Sequence, residues 1–451
     1  MTFSVNGKRV TVVGAARSGL AAAELLASRG AIVTLTDVRA DIPAAAPLAA
    51  RGIVLELGGH RFETLADADL VVLSPGVPPD QPAIRAARDR GVPVIAEIEL
   101  AARWLQGRLI AITGTKGKST TTTLTGRILE GAGLKVMVGG NIGAPLSAQV
   151  TTSTPDTFHV VETSSFQLEQ IDTFHPWIAV MLNFSPDHLD RHPTVEAYAA
   201  AKARVFENQT SEDWAVVNAD DPAVLALAAA ARARKRSFAL RTPIAEGTVL
   251  DRGWITDRSS AGDRQLVPVD AIHVLGPHLV SDVMAAATVG VLAGVTAAAI
   301  TTAVESFRGL PHAMEAAGEV GGVRFVNDSK ATNVESARRS IESFEHDVVP
   351  IMGGRFKGGD LGLLREPLRA RAKAVVAIGE SKALFRDALQ GAVTVYDADT
   401  LADAIAKAYA LAKPHGIVLL APACASFDMF RDYAERGERF KEEVRKLTGS
   451  S

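Results

Sequence analysis

One run of glycine, lysine and hydroxyl residues has the composition of a phosphate-binding loop. Residues 113–120 read Thr-Gly-Thr-Lys-Gly-Lys-Ser-Thr and follow the apolar segment 109–113. A glycine-rich turn between a strand and a helix directs backbone N–H groups toward a phosphate, and the helix dipole adds positive potential. Lys118 can reach the terminal phosphates, and the hydroxyls after it can bind magnesium. The general pattern has glycine where Ile112 stands, yet the strand–loop–helix order favours nucleotide binding over an ordinary turn.

Carboxylate and imidazole groups follow two further apolar segments. Glu162 ends the segment 159–161, and His188 lies in residues 183–192 after another such segment. Ligands of open parallel sheets bind outside the carboxyl ends of the strands, so we expect both side chains near the phosphate loop. Magnesium prefers oxygen ligands, which suits Glu162, whereas His188 would be a less usual ligand. Taken alone, a glutamate at a strand end is more often a helix cap or an ion-pair partner.

A second glycine loop lies near the amino terminus. Residues 14–19 read Gly-Ala-Ala-Arg-Ser-Gly, a variant of the dinucleotide fingerprint in which Ala16 replaces the middle glycine. Asp37 follows about 20 residues later, where a ribose contact is expected. Such a loop can hold a diphosphate, but it does not indicate whether nicotinamide, flavin or a uridine diphosphate sugar is attached.

Polar clusters follow three apolar segments in the last third of the chain. Between them, residues 327–333, 353–359 and 422–428 supply lysine, arginine and hydroxyl side chains. Cations and hydroxyls brought together at strand ends would suit a small anionic molecule. Cys424 has no histidine near it in sequence, so we interpret it as a small packing residue rather than a nucleophile.

The elements that must position these groups alternate between short apolar segments and helical ones. This alternation is typical of parallel sheets covered on both faces, and 451 residues exceed what one core can hold. We predict an α/β protein of three consecutive domains with mainly parallel sheets: Rossmann-like at residues 1–97, P-loop-type at 98–309 and Rossmann-like at 310–451. Strands are expected at residues 9–13, 32–36, 70–73, 92–95, 109–113, 159–161, 177–182, 214–217, 323–326, 348–352, 374–378 and 417–420.

Composition and charge exclude several classes of protein. Hydrophobic residues make up 47% and charged residues 22%, which rules out wholesale disorder. Lys and Arg number 48 against 51 Asp and Glu, so no general basic field exists for a nucleic acid polymer or an anionic membrane. The single cysteine excludes an internal disulfide, and Lys8 and Arg9 interrupt the first apolar run, unlike a secretory signal. We therefore expect a cytoplasmic enzyme.

Two further segments have alternative interpretations. Residues 283–304 carry no charge and could cross a bilayer by length, but they are rich in Ala, Gly and Thr. Gly294 and Thr296 read as a helix stop followed by an N-cap, so two short helices are the better interpretation. The basic cluster 232–236 is expected to be a solvated helix end.

Together, the motifs resemble those of the Mur ligases. The resemblance rests on six runs in the family's order: residues 114–120, 140–143 (Gly-Asn-Ile-Gly), 162–168 (Glu-Thr-Ser-Ser-Phe-Gln-Leu), 187–192 (Asp-His-Leu-Asp-Arg-His), 327–333 (Asn-Asp-Ser-Lys-Ala-Thr-Asn) and 422–428 (Pro-Ala-Cys-Ala-Ser-Phe-Asp). It covers essentially the whole chain, and the shortened phosphate loop is the family's own variant. The Asp-Asn-Pro-Arg run of the diaminopimelate- or lysine-adding ligases is absent from the sequence, which favours the glutamate-adding members.

The resemblance implies an ATP-dependent amide ligase of peptidoglycan precursor synthesis. Its expected reaction adds D-glutamate to UDP-N-acetylmuramoyl-L-alanine through an acyl phosphate, with ATP and two Mg²⁺ ions and with the chain acting as a monomer. The resemblance also implies that carbon dioxide carbamylates Lys202, which would turn a cation into an anionic oxygen ligand. From its helix-forming surroundings alone, Lys202 would be interpreted as a solvated lysine.

The resemblance further assigns roles to individual residues. ATP contacts are implied for Gly114, Thr115, Lys116, Gly117, Lys118, Ser119, Thr120, His278, Asp282 and Asp328. Contacts with the uridine nucleotide substrate are implied for Gly14, Ser18, Asp37, Ser74, Gly76, Asn141 and His188. D-glutamate contacts are implied for Lys330, Thr332, Lys357, Ser426 and Phe427. One magnesium is expected at Ser119 and Glu162 and the second at His188 and Lys202, and the chemistry is expected to depend on Lys118, Glu162, His188 and Lys202.

Two runs depart from the family's usual pattern. His-Asn-x-x-Asn is replaced here by a run from His278 to Asp282 with Leu279 second, and Gly-Leu-Pro-His-Arg ends in Ala313 instead of arginine. The first of these runs serves adenine and ribose in the family, and both changes fall at the expected nucleotide edge, so they bear on how this chain contacts ATP.

Other functions fit parts of the sequence. Another Mur-type or a folylpolyglutamate-type ligase would share the phosphate loop, although the latter would not need a separate nucleotide-binding block before it. A dinucleotide-dependent oxidoreductase would use the first glycine loop and would not need Lys118. A P-loop switch would hydrolyse ATP whether or not D-glutamate is present.

Overall fold

The structure contains three β-sheets with helices between their strands. The computed structural model describes residues 3–188, 191–273 and 277–448, and its sheets contain five, nine and six strands. The predicted class, α/β with mainly parallel sheets, is confirmed. The chain packs as two compact units, the first formed by Met1–Ile272 with Ser281–Glu305 and the second by His273–Val280 with Ser306–Ser451. The first two sheets belong to the first unit, and the expected domain boundaries at 97 and 309 stay predictions.

The first sheet is parallel and has the strand order β3-β2-β1-β4-β5. Its strands are β1 (Arg9–Val13), β2 (Ile32–Asp37), β3 (Val54–Leu57), β4 (Leu70–Leu73) and β5 (Val94–Ala96). The helices of this part are α1 (Arg17–Ser28), α2 (Ala46–Ala49), α3 (Phe62–Ala66), α4 (Pro82–Asp89) and α5 (Glu97–Ala102). The central strand β4 is a continuous apolar run, and β1 is buried from Val10 to Val13, because both faces of the sheet are covered.

The second sheet has the order β14-β13-β12-β11-β10-β9-β6-β8-β7. Its strands are β6 (Arg108–Thr113), β7 (Lys135–Gly140), β8 (Thr157–Glu162), β9 (Ile178–Met181), β10 (Trp214–Asn218), β11 (Arg234–Ala239), β12 (Gly247–Asp251), β13 (Trp254–Arg258) and β14 (Arg264–Pro268). The helices that follow them are α6 (Lys118–Gly131), α7 (Leu146–Gln149), α8 (Ser165–Leu168), α9 (Val195–Ala203), α10 (Pro222–Leu227), α11 (Pro277–Leu292) and α12 (Ala297–Ser306). Since β6 lies between β8 and β9, the loop after β6 is flanked by the ends of both neighbours.

The far edge of this sheet differs from the sequence expectation. The basic cluster 232–236 is not a helix end, because β11 begins at Arg234 and pairs with β10. The guanidinium of Arg234 stacks on Trp214 at 4.2 Å from the ring centroid, and Arg236 forms an ion pair with Asp257. Strands β12 to β14 continue the sheet as antiparallel pairs, which the apolar pattern did not indicate.

The uncharged stretch 283–304 is divided between α11 and α12, as predicted. Gly294 adopts a positive φ of 79° after α11, and the Thr296 hydroxyl accepts a hydrogen bond from the Ala299 N–H at the start of α12. No helix in the described part of the chain combines the length and apolar character needed to span a bilayer.

The third sheet, in the second unit, has the order β15-β16-β20-β17-β18-β19. Its strands are β15 (Glu315–Val320), β16 (Val323–Asn327), β17 (Val348–Gly353), β18 (Val375–Ile378), β19 (Val395–Asp397) and β20 (Ile417–Leu420). Its helices are α13 (Val334–Glu342), α14 (Arg365–Arg371), α15 (Lys382–Leu389), α16 (Leu401–Ala412) and α17 (Tyr433–Thr448). Only β15 is antiparallel, and β16, β20 and β17 are adjacent, so the loops after these three strands lie at one edge.

A buried carboxylate joins the first two sheets within the first unit. Glu99 on α5 is fully buried and accepts backbone N–H groups from Asp172, Thr173 and Phe174 at 3.0, 3.0 and 2.8 Å. The Arg103 guanidinium adds a contact at 2.7 Å. Burial alone would raise the pKa of Glu99, but these donors outweigh it and hold the pKa below its ordinary value.

Replacing Glu99 with alanine tests the strength of this junction. We expect Glu99→Ala to lower the free energy of unfolding by about 3–5 kcal/mol, because buried N–H donors and Arg103 lose their acceptor. Urea unfolding of the full chain measures the loss. The exposed Glu63 supplies the control, since Glu63→Ala should change stability by no more than about 0.5 kcal/mol. Equal losses of stability from the two substitutions would contradict the role of Glu99 in joining the two sheets.

Candidate active site

The phosphate loop occupies the turn between β6 and α6. Gly114 and Gly117 both adopt positive φ values, 150° and 82°, which side chains disfavour. A Cβ atom on Gly117 would lie 2.1 Å from an oxygen of Asp282, so only glycine fits there. Helix α6 begins at Lys118, so the N–H groups of its first turn lie next to the loop, as an anion site requires.

Asn183 fastens this loop, a role that the sequence analysis missed. Its side-chain oxygen accepts the backbone N–H groups of Thr115 and Lys116 at 3.2 and 2.9 Å, and its amide donates to the Lys116 carbonyl at 3.1 Å. Asn183 is the second residue after β9, next to the strand that carries the loop. The sequence did contain a signal for this role, because Asn183 is the first polar residue after the buried strand β9.

Two lysine amines converge on one carbonyl oxygen of the loop. The Lys202 amine donates to the Gly114 carbonyl at 2.7 Å, and the Lys118 amine donates to the same oxygen at 3.1 Å. Lys118 also donates to the Thr115 carbonyl at 3.0 Å. Both predicted lysines therefore reach the phosphate loop, one from the loop's own helix and the other from α9.

Lys202 is buried, which corrects the interpretation of it as a solvated lysine. Its side chain is 1% exposed, and its amine lies 4.8 Å from the ring centroid of Tyr198. Burial lowers the pKa of Lys202 well below its ordinary value, and the charge of Lys118 lowers it further. The carboxylates of Asp187 and Glu162 act in the opposite direction without restoring the pKa.

Glu162, at the end of β8, contacts its predicted partner Ser119 and also Asn141. One carboxylate oxygen accepts the Ser119 hydroxyl at 2.6 Å, and the other accepts the Asn141 amide at 2.7 Å. The Asn141 backbone N–H also donates to the Glu162 carbonyl at 3.0 Å. A carboxylate and a hydroxyl thus meet beside the first turn of α6.

His188 lies on the loop after β9 and shares an aromatic neighbour with Lys202. Its ring contacts Phe166 edge-on at 5.1 Å between centroids and lies 6.0 Å from Tyr198, the ring that Lys202 also faces. The backbone of His188 has a positive φ of 55°, an uncommon conformation for a residue with a side chain. Leu189 and Asp190, within the motif that follows, lie outside the described residues.

Asp282 is the buried acid that covers the phosphate loop from α11. Its side chain is nearly inaccessible and faces Gly117. The predicted ATP contact of Asp282 stays a prediction. Burial raises the pKa of Asp282 to about 8, and Thr121 and Lys118 offset this only in part. The carboxyl is therefore neutral at pH 7. The side chain of His278, the other predicted contact from this run, lies outside the described residues.

The first glycine loop is fixed by Ser74 and Asp37. The Ser74 hydroxyl donates to the Gly14 carbonyl at 2.7 Å, while Asp37 accepts the Ala15 N–H at 2.7 Å and pairs with Arg39 at 2.9 Å. The hydrogen bond from Arg39 is the main reason that the pKa of Asp37 lies far below its usual range. Asp37 thus holds the loop itself.

The other predicted residues of this region lie around the same turn. Ser18 is half-buried in the first turn of α1, and Gly76 is exposed with open space where a side chain would lie. The Arg17 guanidinium donates to the Gly143 carbonyl at 3.3 Å, so the first and second sheets meet near the Gly-Asn-Ile-Gly run. Arg17, the neighbour of Ser18, thus contacts the run that contains Asn141.

In the second unit, the three predicted loops are joined by their backbones. The Ala423 N–H donates to the Ala331 carbonyl at 2.9 Å, and Arg355 and Ala425 exchange backbone hydrogen bonds at 2.9 and 3.0 Å. Ala423 has a positive φ of 57°. The loops that carry the predicted D-glutamate residues are thus one continuous edge.

The predicted amino-acid residues differ in exposure along this edge. Lys330, Lys357 and Phe427 are exposed, Thr332 is half-buried and Ser426 is buried. Exposed lysines and a buried hydroxyl on adjoining loops are groups of the kind that bind an anion.

Asp328 and Cys424 have structural partners at the same edge. Asp328 accepts the Met314 N–H at 3.1 Å and the Ser340 hydroxyl. Cys424 is fully buried as predicted, and burial raises the pKa of its thiol to about 11. The thiol is therefore not a nucleophile at neutral pH.

The donors at the phosphate loop fit one magnesium ion. No three His, Cys, Asp or Glu side chains among the described residues are grouped to hold a metal by themselves. Magnesium usually takes one or two protein oxygens together with phosphates and waters, and Glu162 with Ser119 supplies such a pair. A second ion at His188 and Lys202 would need the lysine converted to an oxygen ligand.

The fold and this constellation define a nucleotide-dependent ligase with a P-loop-type centre, and family comparisons identify the class. Residues 8–96 match the model of the Mur ligase MurD-like N-terminal domain, residues 112–290 the Mur ligase middle domain, and residues 314–424 the Mur ligase glutamate ligase domain. The chain belongs to the Mur ligase family. The resemblance drawn from the motifs is confirmed.

Similar proteins extend over the full length of the chain. The UDP-N-acetylmuramoylalanine–D-glutamate ligase of Koribacter versatilis is 45% identical, covering 99% of both chains, and that of Geotalea uraniireducens is 47% identical, covering 98% of both. Among solved structures, a pseudomurein peptide ligase type C from Methanothermus fervidus has a TM-score of 0.60 at 18% identity and covers 98% of this chain and 100% of its own. The UDP-N-acetylmuramate-alanine ligase of Thermotoga maritima has a TM-score of 0.58 at 20% identity with the same coverage. These two structures share the fold.

The raised pKa of Asp282 predicts a pH-dependent stability difference. Below the unfolded pKa of 3.8 the acid is neutral in both states, but between there and about 8 only the unfolded chain ionises. Asp282→Asn should therefore gain stability over the natural protein by about 1.4 kcal/mol for each pH unit in that window. Thermal midpoints at several pH values between 5 and 8 measure the gain.

Asp220 provides the matched control for this measurement. Its carboxylate accepts backbone N–H groups of Leu240 and Thr242, and these hydrogen bonds hold its pKa below the ordinary value. Asp220→Asn should destabilise the protein by a constant amount across the same pH window. If the stability difference between Asp282→Asn and the natural protein did not change with pH, the pKa of the Asp282 carboxyl would not be raised in the folded protein.

Proposed function

We propose that this protein is an ATP-dependent ligase that adds D-glutamate to UDP-N-acetylmuramoyl-L-alanine in peptidoglycan precursor synthesis. The observation that carries the proposal is the phosphate loop, where the Lys118 amine contacts the Gly114 carbonyl and the Ser119 hydroxyl contacts Glu162. This loop lies in a chain that is similar to D-glutamate ligases over its full length. We propose further that it acts as a monomer in the cytoplasm.

The first chemical step activates a carboxylate. A carboxylate does not acylate an amine in water, so the terminal phosphoryl group of ATP is transferred to the carboxylate of the L-alanyl end, which forms an acyl phosphate. Negative charge on the transferring oxygens needs positive groups fixed in place beforehand. The Lys118 ammonium and the N–H groups at the start of α6 meet that need, and Asn183 holds the loop in shape.

The second step forms the amide bond. The D-glutamate amine attacks the acyl carbon, and the tetrahedral intermediate releases phosphate as the carbon–oxygen bond breaks. Lys330, Thr332, Lys357, Ser426 and Phe427 are proposed to hold D-glutamate. Their support is the shared loop edge of the second unit, which carries exposed lysines and a buried hydroxyl of the kind that two carboxylates need.

The uridine nucleotide is proposed to bind at the first glycine loop. Gly14, Ser18, Asp37, Ser74 and Gly76 lie at or beside this turn, and the Ser74 hydroxyl fixes its carbonyl. Asn141 contacts Glu162 at the neighbouring sheet, so the substrate's reactive end would approach the metal-binding pair from there. Asp282 and Asp328 remain proposed ATP contacts.

Two magnesium ions are proposed, the first at Ser119 and Glu162 and the second at His188 and Lys202. Bound magnesium would neutralise charge on the phosphates. Lys202 could serve as a ligand only after carbamylation, in which its neutral amine forms a bond to carbon dioxide and loses a proton. The burial of Lys202 favours the neutral amine that this reaction needs.

The decisive test of ligase activity is whether phosphate release from ATP requires both other substrates. Phosphate release from ATP should need UDP-N-acetylmuramoyl-L-alanine together with D-glutamate, and should not occur with L-glutamate, L-lysine or no amino acid. Release without an amino acid would indicate a hydrolytic switch. Lys118→Ala should reduce turnover by about 100-fold or more, because it removes the cation from the loop. Lys8→Ala, at an exposed site before β1, should leave turnover unchanged.

Removal of carbon dioxide tests the modification of Lys202. The natural enzyme should lose activity in degassed buffer and regain it with bicarbonate, and isotope-labelled bicarbonate should give a carbamate signal in the NMR spectrum. Lys202→Arg should be inactive in both buffers and lack the signal. Lys135→Arg, at an exposed lysine of β7, should behave like the natural enzyme. Full activity of the natural enzyme without carbon dioxide would contradict the proposal.

A further inference from the structure

A buried arginine of the last helix contacts two of the loops proposed to bind the amino acid. Arg436 lies in the first turn of α17 and is 1% exposed. In the part of the chain that the structure describes, its guanidinium hydrogen-bonds only neutral oxygen atoms. Burial lowers the pKa of Arg436 to about 10, so the group remains a cation at neutral pH.

The guanidinium holds both loops one or two residues before their proposed ligands. It donates from Nε to the Ser329 hydroxyl and from Nη2 to the Ser329 carbonyl, both at 2.9 Å. It donates from Nη1 and Nη2 to the Cys424 carbonyl at 3.3 and 3.2 Å. Lys330 directly follows Ser329, and Ser426 is two residues beyond Cys424.

The surrounding contacts make this arrangement rigid. The Ser329 hydroxyl, while accepting from Arg436, donates to the Tyr433 carbonyl at 2.7 Å. A Cβ atom on Gly437 would lie 2.2 Å from the His312 ring and 3.0 Å from the Asn327 amide, so the start of α17 packs directly on the first loop. The planar guanidinium, which presents five donors in a fixed geometry, is the side chain that can join two such backbones.

We propose that Arg436 is a positioning residue of the amino-acid site, which fixes the loops 327–333 and 422–428 relative to each other so that their side chains hold one anionic amino acid. This inference rests on the proposed function, because it takes those loops as the D-glutamate site. Arg436 itself touches neither substrate nor reacting atoms and acts through Ser329 and Cys424.

If Arg436 has this role, its replacement should raise KM for D-glutamate and for no other substrate. Arg436→Lys keeps the charge but cannot bridge both loops, so KM for D-glutamate should rise about tenfold or more, since displaced binding groups weaken the fit. KM for ATP and for the uridine nucleotide should stay unchanged. A purely structural defect would instead reduce the amount of active enzyme, lowering the apparent kcat while leaving all three KM values the same.

Two further variants keep the test decisive. Ser329→Ala removes one acceptor of Arg436 with little change of volume, and it should raise KM for D-glutamate in the same direction even if Arg436→Lys fails to fold. Arg439→Ala is the control, because Arg439 is exposed on the same helix and pairs only with Glu442 in the described part of the chain. It should leave every KM unchanged.

The outcomes separate this inference from the proposed function. If the natural enzyme turns over without D-glutamate, the proposed function fails. If it requires D-glutamate but folded Arg436→Lys and Ser329→Ala retain the natural KM for it, the positioning role is wrong. Equal increases in the KM values of all three substrates would also overturn the role.

Discussion

Two amines that meet at the carbonyl of Gly114 impose the constraint on which the candidate centre depends. Lys118 and Lys202 could not both remain charged there at low cost, because like charges repel and Lys202 is shielded from water. The arrangement is stable because Glu162 and Asp187 supply negative charge and because burial favours a neutral Lys202. The proposed phosphate contact of Lys118 and the proposed modification of Lys202 both involve an amine held at this one oxygen.

The sequence was most informative where local pattern and fold agree. Apolar runs bounded by glycine and polar residues located strands such as β1, β4 and β20 to the residue, because fully buried strands tolerate little else. The antiparallel strands β12 to β14 were missed because each mixes apolar residues with charged or polar ones, so none of them reads as an apolar run. The basic start of β11 was taken for a helix end because charge alone does not distinguish the two.

Site residues were predictable by type more than by environment. The motifs identified Glu162 and Ser119 as neighbours in space, but not that Asn141 would take the second carboxylate oxygen. The burial of Lys202 and Arg436 was invisible, because both lie in helices whose local sequence reads as solvent-facing. Contacts such as that of Asn183 with the phosphate loop depend on which strands become neighbours, and sequence spacing does not encode this.

The chemistry of Cys424 has a practical consequence for studying this enzyme. The chain contains no other cysteine, and this thiol is both inaccessible and too weakly acidic to form a thiolate at neutral pH. Alkylating reagents and mild oxidants should therefore leave the native protein unmodified. A cysteine engineered at the surface would be the sole reactive thiol, so fluorophores or spin labels could be attached at chosen positions without first removing a native one.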